Sequence, residues 1–243
     1  MKTVVKILLL LGVVGYLVFA VVSLSSDEEK RVCVGTKIII ADSAQNSFMD
    51  TLFISSLINQ TRKPISGILL KDVEIKYIED CLKRSPYLDS VICYYTPDNV
   101  MCVRVLTRNP ILHVIPTVGE SFYMDAQGHD MPTNVFALDL CLATGNIDKK
   151  YARENLLEIA KYLNTHKPWD KEIQQIHVKS PKHLELIPFT GNHVIVLGEP
   201  RDIEDKMRRL SIFYKGGLDK VGWNKYKSVD LNYANQVVCT KNK

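Results

Sequence analysis

The 243-residue sequence has none of the short motifs by which many enzymes are recognised. It lacks the glycine-rich loop of nucleotide-binding proteins, the nucleophile elbow of hydrolases and the histidine pair of zinc proteases. Its six histidines never stand four residues apart, as a helical metal site would require. Trp169 and Trp223 are the candidates for stacking on a sugar, although packing in a core is the default use of tryptophan. The sequence therefore predicts a binding or scaffolding protein, not an enzyme, with no catalytic residue, cofactor or metal ion.

A strong charge of either sign is also missing. The formal net charge is only +4, and no basic tract with interleaved aromatic residues occurs, so we expect no nucleic-acid partner. The small basic excess lies near the C-terminus, where residues 201–243 hold 10 Lys and Arg against 5 Asp and Glu. An acidic partner and an ordinary solvated surface both account for this excess.

The six cysteines contain no C-x-x-C pair, which argues against zinc and thioredoxin-like chemistry. One pair has a local geometric case for a disulfide. If residues 96–99 form a tight turn, Cys93 and Cys102 stand directly opposite each other across a hairpin, slightly farther apart than a disulfide prefers. Cys93 and Cys102 are therefore the candidate disulfide pair, with free thiols as the alternative.

The N-terminal segment is the one long hydrophobic run. Residues 7–24 carry no charge and would extend about 27–30 Å as a helix, close to the thickness of a hydrocarbon core. Lys2 and Lys6 precede the run and acidic residues follow it, which places the N-terminus in the cytoplasm. We therefore predict a short cytoplasmic tail (1–6), a transmembrane signal anchor (7–24) and a linker (25–32). The protein would be a single-pass type II protein of the cell inner membrane with its bulk in the periplasm, and a cleaved signal peptide is the alternative.

The rest of the chain divides into two patterns. Residues 33–112 follow the order strand, helix, helix, strand, strand, which predicts a small sheet with two helices on one side. Residues 113–243 contain shorter strands and turns, interrupted by helical stretches at 148–165 and from residue 202. The fold class is therefore α+β, with two domains after the N-terminal helix.

Four stretches in this order resemble the FtsQ/DivIB family of bacterial cell-division proteins. They are DVEIKYIEDCLKRSPYLDSVICYYTPDNVMCVRV (72–105), the stretch 108–132 that begins RNPILHV, VIVLGEPRDIEDKMRRLSIFY (194–214) and YKSVDLNYANQVV (226–238). Together they extend over the whole region after the linker, and their order makes the resemblance specific.

The resemblance implies a POTRA domain at 33–112 and, at 113–243, a β domain, which is an antiparallel sheet with helices. It implies a divisome scaffold that acts in septum formation. The C-terminal strand of such a protein would bind FtsB, within an FtsB–FtsL pair, by β-strand addition. The POTRA domain would contact other division proteins.

The resemblance also implies the partner-binding residues. Tyr233 takes the place of the family's partner-binding tyrosine, and Asn232 stands where the family has an arginine. The candidate partner-binding residues are Tyr226, Asn232, Tyr233, Asn235, Val237 and Val238. Two geometries remain open for residues 228–240. They form either a hairpin that turns at 234–235 and sets Val238 opposite Leu231, or one long strand with a bulge near Asn235.

Two other functions remain as alternatives. A POTRA-containing accessory of protein assembly or transport resembles this chain only up to about residue 112. A periplasmic glycan-binding protein would use exposed aromatic side chains.

Overall fold

A computed structural model describes residues 2–28, 30–41, 49–61, 65–133, 136–218, 220 and 222–242. The chain divides into two compact units, Met1–Thr107 and Arg108–Lys243.

The first helix, α1, runs from Lys2 to Glu28. No helix in the described part of the chain combines the length and the apolar character that a membrane crossing requires. The predicted transmembrane anchor at residues 7–24 is therefore wrong. The predicted location of the protein stays a prediction.

After α1, the first unit follows the predicted order of strands and helices. Its elements are β1 (Gly35–Ile40), α2 (Thr51–Gln60), a 3₁₀ turn (Leu70–Asp72), α3 (Ile75–Lys83), β2 (Leu88–Tyr95) and β3 (Val100–Thr107). The described strands form a sheet in the order β1-β3-β2, in which β1 is parallel and β2 antiparallel to β3. Asp50 begins α2 by accepting the N–H of Phe53 at 2.8 Å.

The β2–β3 hairpin corrects the predicted cysteine pairing. The predicted turn forms, since the N–H of Asn99 donates to the carbonyl of Thr96. Thr96 N–H, however, donates to the carbonyl of Val100, so the loop holds three residues, 97–99, where a tight turn at 96–99 would hold two. Cys93 therefore stands opposite Val103 and not opposite Cys102. A shift of one residue in register sends the two cysteine side chains to opposite faces of the sheet. The predicted Cys93–Cys102 disulfide is wrong, and all six cysteines are free thiols.

The second unit contains one large sheet and two helical connections. Its strands are β4 (Pro110–Pro116), β5 (Phe122–Asp125), β6 (Asp130–Pro132), β7 (Leu142–Gly145), β8 (Ile173–Ser180), β9 (His183–Pro188), β10 (Val194–Gly198), β11 (Tyr226–Asp230) and β12 (Val238–Lys241). Its helices are α4 (Lys149–Tyr151), α5 (Leu157–Thr165), α6 (Trp169–Glu172) and α7 (Ile203–Phe213), with π-helical turns at Ala152–Leu156 and Tyr214–Leu218. Within the described residues the strand order is β12-β11-β10-β9-β8-β7-β4-β5-β6.

The sheet is mixed, so the expectation of a purely antiparallel sheet is wrong. The pairs β4–β7, β7–β8 and β10–β11 are parallel. The last two follow from strand–helix–strand connections, because α4–α6 join β7 to β8 and α7 joins β10 to β11. Since β8 and β10 are both antiparallel to β9, the two connections run in the same sense and lay their helices on the same face.

That face holds the hydrophobic core of the second unit. Ile159 and Leu163 of α5 and Met207 and Leu210 of α7 belong to one buried cluster. The strands contribute alternate residues to the same cluster, namely Leu112, Val114, Ala143, Ile176, Val178, Leu184, Leu186, Ile195, Leu197 and Val229. Packing of Val229 against this cluster therefore stabilises β11 in the sheet.

The start of the second unit is held by a buried carboxylate. Asp125 is only 1% exposed and accepts the N–H groups of Gln127 at 2.9 Å and of His129 at 2.8 Å. The Arg108 guanidinium donates to its second oxygen at 3.1 Å. Burial alone would raise the pKa of Asp125, but the hydrogen bonds from His129, Arg108 and Gln127 hold it below its ordinary value of 3.8.

We predict that Asp125→Asn lowers the free energy of unfolding by about 1–3 kcal/mol near neutral pH, because one of the two oxygens that accept these three hydrogen bonds becomes an NH₂ donor. A carboxylate with a lowered folded pKa stabilises the fold fully above the unfolded value of 3.8 and loses this effect as the pH falls through the folded value. The difference between wild type and variant should therefore be constant above about pH 5 and shrink below 3.8.

Urea denaturation between pH 6 and pH 2.5 measures this difference. Asp139→Asn is the matched control, because Asp139 is exposed and its substitution should change the stability by less than about 0.5 kcal/mol at every pH. A difference for Asp125→Asn that does not depend on pH would contradict the role of the charge.

Candidate functional site

The C-terminal residues form a hairpin at one end of the large sheet. β11 and β12 are antiparallel, with Val229 opposite Cys239 and Asp230 opposite Val238. The hairpin alternative therefore holds, but its connection is longer than a two-residue turn, and Val238 does not stand opposite Leu231. β12 is the terminal strand of the described sheet, so its outer side has no paired strand there.

One backbone hydrogen bond shows which way the groups of β12 point. The N–H of Asn242 donates to the carbonyl of Lys225, just before β11. Backbone groups alternate between the two sides of an antiparallel strand, so those of Thr240 face β11 as well. The backbone groups of Cys239 and Lys241 then point to the outer side. This edge offers donors and acceptors of the kind that an added strand would use.

The side chains of β12 alternate between the two faces of the sheet. Val237 and Cys239 pack against the core on the helical face. Val238, 42% exposed, lies on the opposite face with Thr240. An added strand would therefore meet core-packed side chains on one face and an exposed valine on the other.

Arg209 of α7 holds the connection between β11 and β12. Its side chain is largely buried, and its guanidinium donates to three backbone carbonyls of the connection. These are Leu231 at 3.0 Å, Tyr233 at 2.8 Å and Gln236 at 2.7 Å. Its Nε–H donates to Asp205 at 2.8 Å. Leu231 still bonds β10, since its N–H donates to the carbonyl of Val196 at 2.9 Å. Residues 232–237 belong to no strand of the described sheet, and Arg209 satisfies three carbonyls of this connection.

The neighbouring charges of α7 support this arrangement. Hydrogen bonds from Arg208 and Arg209 lower the pKa of Asp205, which keeps its carboxylate ionised beside the two guanidinium groups. One turn earlier, the buried Lys206 donates to the carbonyls of Leu197 at 2.9 Å and Glu199 at 2.7 Å. Burial lowers the pKa of Lys206. α7 therefore fixes both the end of β10 and the C-terminal hairpin.

Asn232 rests on the end of β10. Gly198 has φ +72°, and a Cβ at this position would overlap the side-chain oxygen of Asn232. The N–H of Asn232 donates to the side chain of Asp230 at 2.8 Å. The residue that replaces the family's arginine is therefore packed into a space that a glycine provides.

The other predicted partner-binding residues divide into two groups. Tyr233, 50% exposed, and Asn235, with φ 59°, lie on the surface of the connection. Val237 packs against the core, and Tyr226 packs on Phe213 with ring centroids 5.9 Å apart. The structure brings all six candidates into the hairpin and its connection, but only Asn232, Tyr233, Asn235 and Val238 are exposed there. Partner binding by these residues stays a prediction.

Sequence reasoning missed three residues of this site. Arg209 and Asp205 are four apart on a helix, a spacing that indicates an ordinary surface ion pair. Only the position of Arg209 next to Leu210, on the inward side of α7, could have suggested burial. Ile212 is 60% exposed on the same helix, whose other exposed residues, Glu204 and Arg208, are charged. A large apolar side chain among exposed charges is a weak signal of contact.

The aromatic residues considered for sugar binding are packed inside the second unit. Trp169 is 5% exposed, and its ring lies 5.8 Å from that of Tyr214. Trp223 stands edge-on to Tyr214 at 4.9 Å. Tyr214 in turn bonds the buried His193 through its hydroxyl at 2.8 Å. These rings form part of the packing beneath the sheet and offer no stacking platform.

Two family models match the chain. The model described as FtsQ/DivIB, C-terminal related, matches residues 109–240, more than half of the chain. The model described as POTRA-like domain matches residues 31–106. No curated protein matches the chain.

We predict that Gly198→Ala disturbs the β11–β12 connection at Asn232. The added Cβ would displace Asn232 and would impose a positive φ on alanine, so the free energy of unfolding should fall by about 2–3 kcal/mol. Gly119→Ala is the matched control, because Gly119 has φ +104° and no described atom lies within 4 Å of the new Cβ. It should cost about 1 kcal/mol.

A double-mutant cycle by urea denaturation isolates the contact. Asn232→Ala removes the atom that the new Cβ would meet, so Gly198→Ala should cost less in that background than in the wild type. Equal costs in the two backgrounds would contradict the packing of Asn232 on Gly198.

Proposed function

Because the chain belongs to the FtsQ/DivIB family, whose members are non-enzymatic scaffolds of cell division, we propose that it recruits FtsB/FtsL-type partners to the site of septum formation. The partner adds a strand to the outer side of β12. The POTRA-like domain of residues 31–106 contacts other division proteins. The observation that carries the proposal is the unpaired outer side of β12, at the end of the described sheet.

The edge of β12 has the properties that strand addition requires. An exposed strand edge is a liability that proteins cover or blunt unless it is used. Here the outward N–H and C=O groups of Cys239 and Lys241 supply hydrogen bonds, whereas the side chains supply specificity. Val238 lies on one face of the edge, and Tyr233 is exposed beside its start.

The surroundings of the edge favour an acidic, partly apolar partner. Lys225, Lys227 and Lys241 are exposed on the hairpin. Ile212 adds an exposed apolar side chain on α7, the helix that packs under β11. Lysine on an edge strand also discourages the pairing of two copies of the same edge, so it selects a different chain.

We place the two domains outside the cytoplasm. The support is the order of residues at the N-terminus, where Lys2 and Lys6 precede an apolar run, as in a secretory signal peptide.

We predict that Cys239→Pro weakens capture of the FtsB/FtsL-type pair of the same organism by at least about tenfold, while the protein stays folded. Proline removes the outward N–H of Cys239 and places a ring at the pairing edge, and an edge strand tolerates proline when that N–H faces solvent. A tenfold change corresponds to about 1.4 kcal/mol, the order of one lost hydrogen bond. Binding to the immobilised full-length chain measures the effect.

Cys239→Ser is the matched control, because it changes the same side chain and keeps the N–H. It should bind the partner within about twofold of wild type, since its backbone is unchanged. Undiminished binding by Cys239→Pro would show that the edge of β12 is not used.

A further inference from the structure

We infer that Arg209 is a positioning residue for partner binding: it holds the β11–β12 connection so that the outer edge of β12 is preformed before the partner arrives. This inference rests on the proposed function of that edge. Arg209 itself does not form the edge, since its donors are turned towards the carbonyls of the connection and towards Asp205.

The connection depends on this arginine more than on packing. Residues 232–236 are all exposed, and Asn235 takes a left-handed conformation that any residue other than glycine adopts at some cost. The carbonyls that Arg209 bonds are distributed along the connection, near its start, middle and end. The three contacts together therefore define the path of the chain into β12.

β12 is short and cannot hold itself in place. It has four residues, it is paired on one side in the described sheet, and its apolar contribution to the core is limited to the half-buried Cys239, next to Val237. Such edge elements open locally at low cost. If β12 is formed in only a fraction of the molecules, the apparent affinity for a strand-adding partner falls by that fraction.

The planar fork of arginine suits this task, and lysine does not. A guanidinium donates in several fixed directions at once, whereas an ammonium on a flexible stem cannot reach carbonyls at three points of a loop together with Asp205. Arg209→Lys keeps the charge and therefore separates the geometric role of the residue from its electrostatic role.

The test measures partner affinity and hydrogen exchange of the full-length chain. Arg209→Lys should bind the FtsB/FtsL-type pair at least about tenfold more weakly, and the inward-facing amide of Thr240 should exchange at least about tenfold faster in the absence of partner. Arg208→Gln is the control, because Arg208 shares Asp205 but is exposed. It should change neither quantity by more than about twofold.

A covalent rescue distinguishes positioning from direct contact. Val229 and Cys239 are opposite each other in a pair whose Cα atoms should lie about 4.5 Å apart, within the range that a disulfide accepts. Oxidised Val229→Cys would close the hairpin without Arg209. In the Arg209→Lys background it should restore the affinity to within about threefold of wild type, and reduction should abolish the rescue.

The outcomes separate the two proposals. Weaker binding by Arg209→Lys while the exchange at Thr240 stays unchanged would overturn the inference. A disulfide that mass spectrometry verifies but that does not restore binding would also overturn it. Either result would mean that Arg209 acts by another route. Undiminished binding by Arg209→Lys, with loss of binding by Cys239→Pro, would overturn the inference and leave the proposed function standing. Undiminished binding by Cys239→Pro would overturn both.

Discussion

The four hydrogen bonds of the Arg209 guanidinium are the constraint on which the C-terminal end of the sheet depends. They connect a helix in the core to a stretch of chain of which residues 232–237 belong to no strand of the described sheet. Because a buried guanidinium is costly when its donors are unpaired, the loop carbonyls and Asp205 stabilise Arg209 as much as it stabilises them. The hydrogen bonds of Arg209 therefore hold α7, the β11–β12 connection and β12 together.

The topology of the second unit explains why β12 and its connection lie at one edge of the large sheet. The two strand–helix–strand connections run in the same sense, so each places its last strand farther towards the same end of the sheet. After β11 the chain turns back once and ends the described sheet with β12. In the described part of the unit both helical connections lie on one face of the sheet, and Cys239 of β12 packs against the core on that face. The result is a sheet whose terminal described strand is short and has an unpaired outer side.

The sequence predicted the kinds of elements and their order well, because hydrophobic periodicity and turn residues act locally. It predicted the register of the β2–β3 hairpin wrongly, since one residue in a loop moves Cys93 away from Cys102. The parallel pairs were missed because they arise from long-range crossovers. The C-terminal hairpin and its exposed tyrosine were within reach of sequence reasoning. Arg209 was not, because its i, i+4 pair with Asp205 is the same pattern in an exposed and in a buried helix.

Backbone hydrogen exchange is the most direct test of strand addition to β12. The amides of Cys239 and Lys241 should exchange quickly in the free full-length chain, since they face the outer side, and should slow by at least about tenfold when the FtsB/FtsL-type pair is bound at saturation. The inward-facing amide of Thr240 should change much less. Slow exchange appearing elsewhere on the saturated protein, with Cys239 and Lys241 unchanged, would contradict the account.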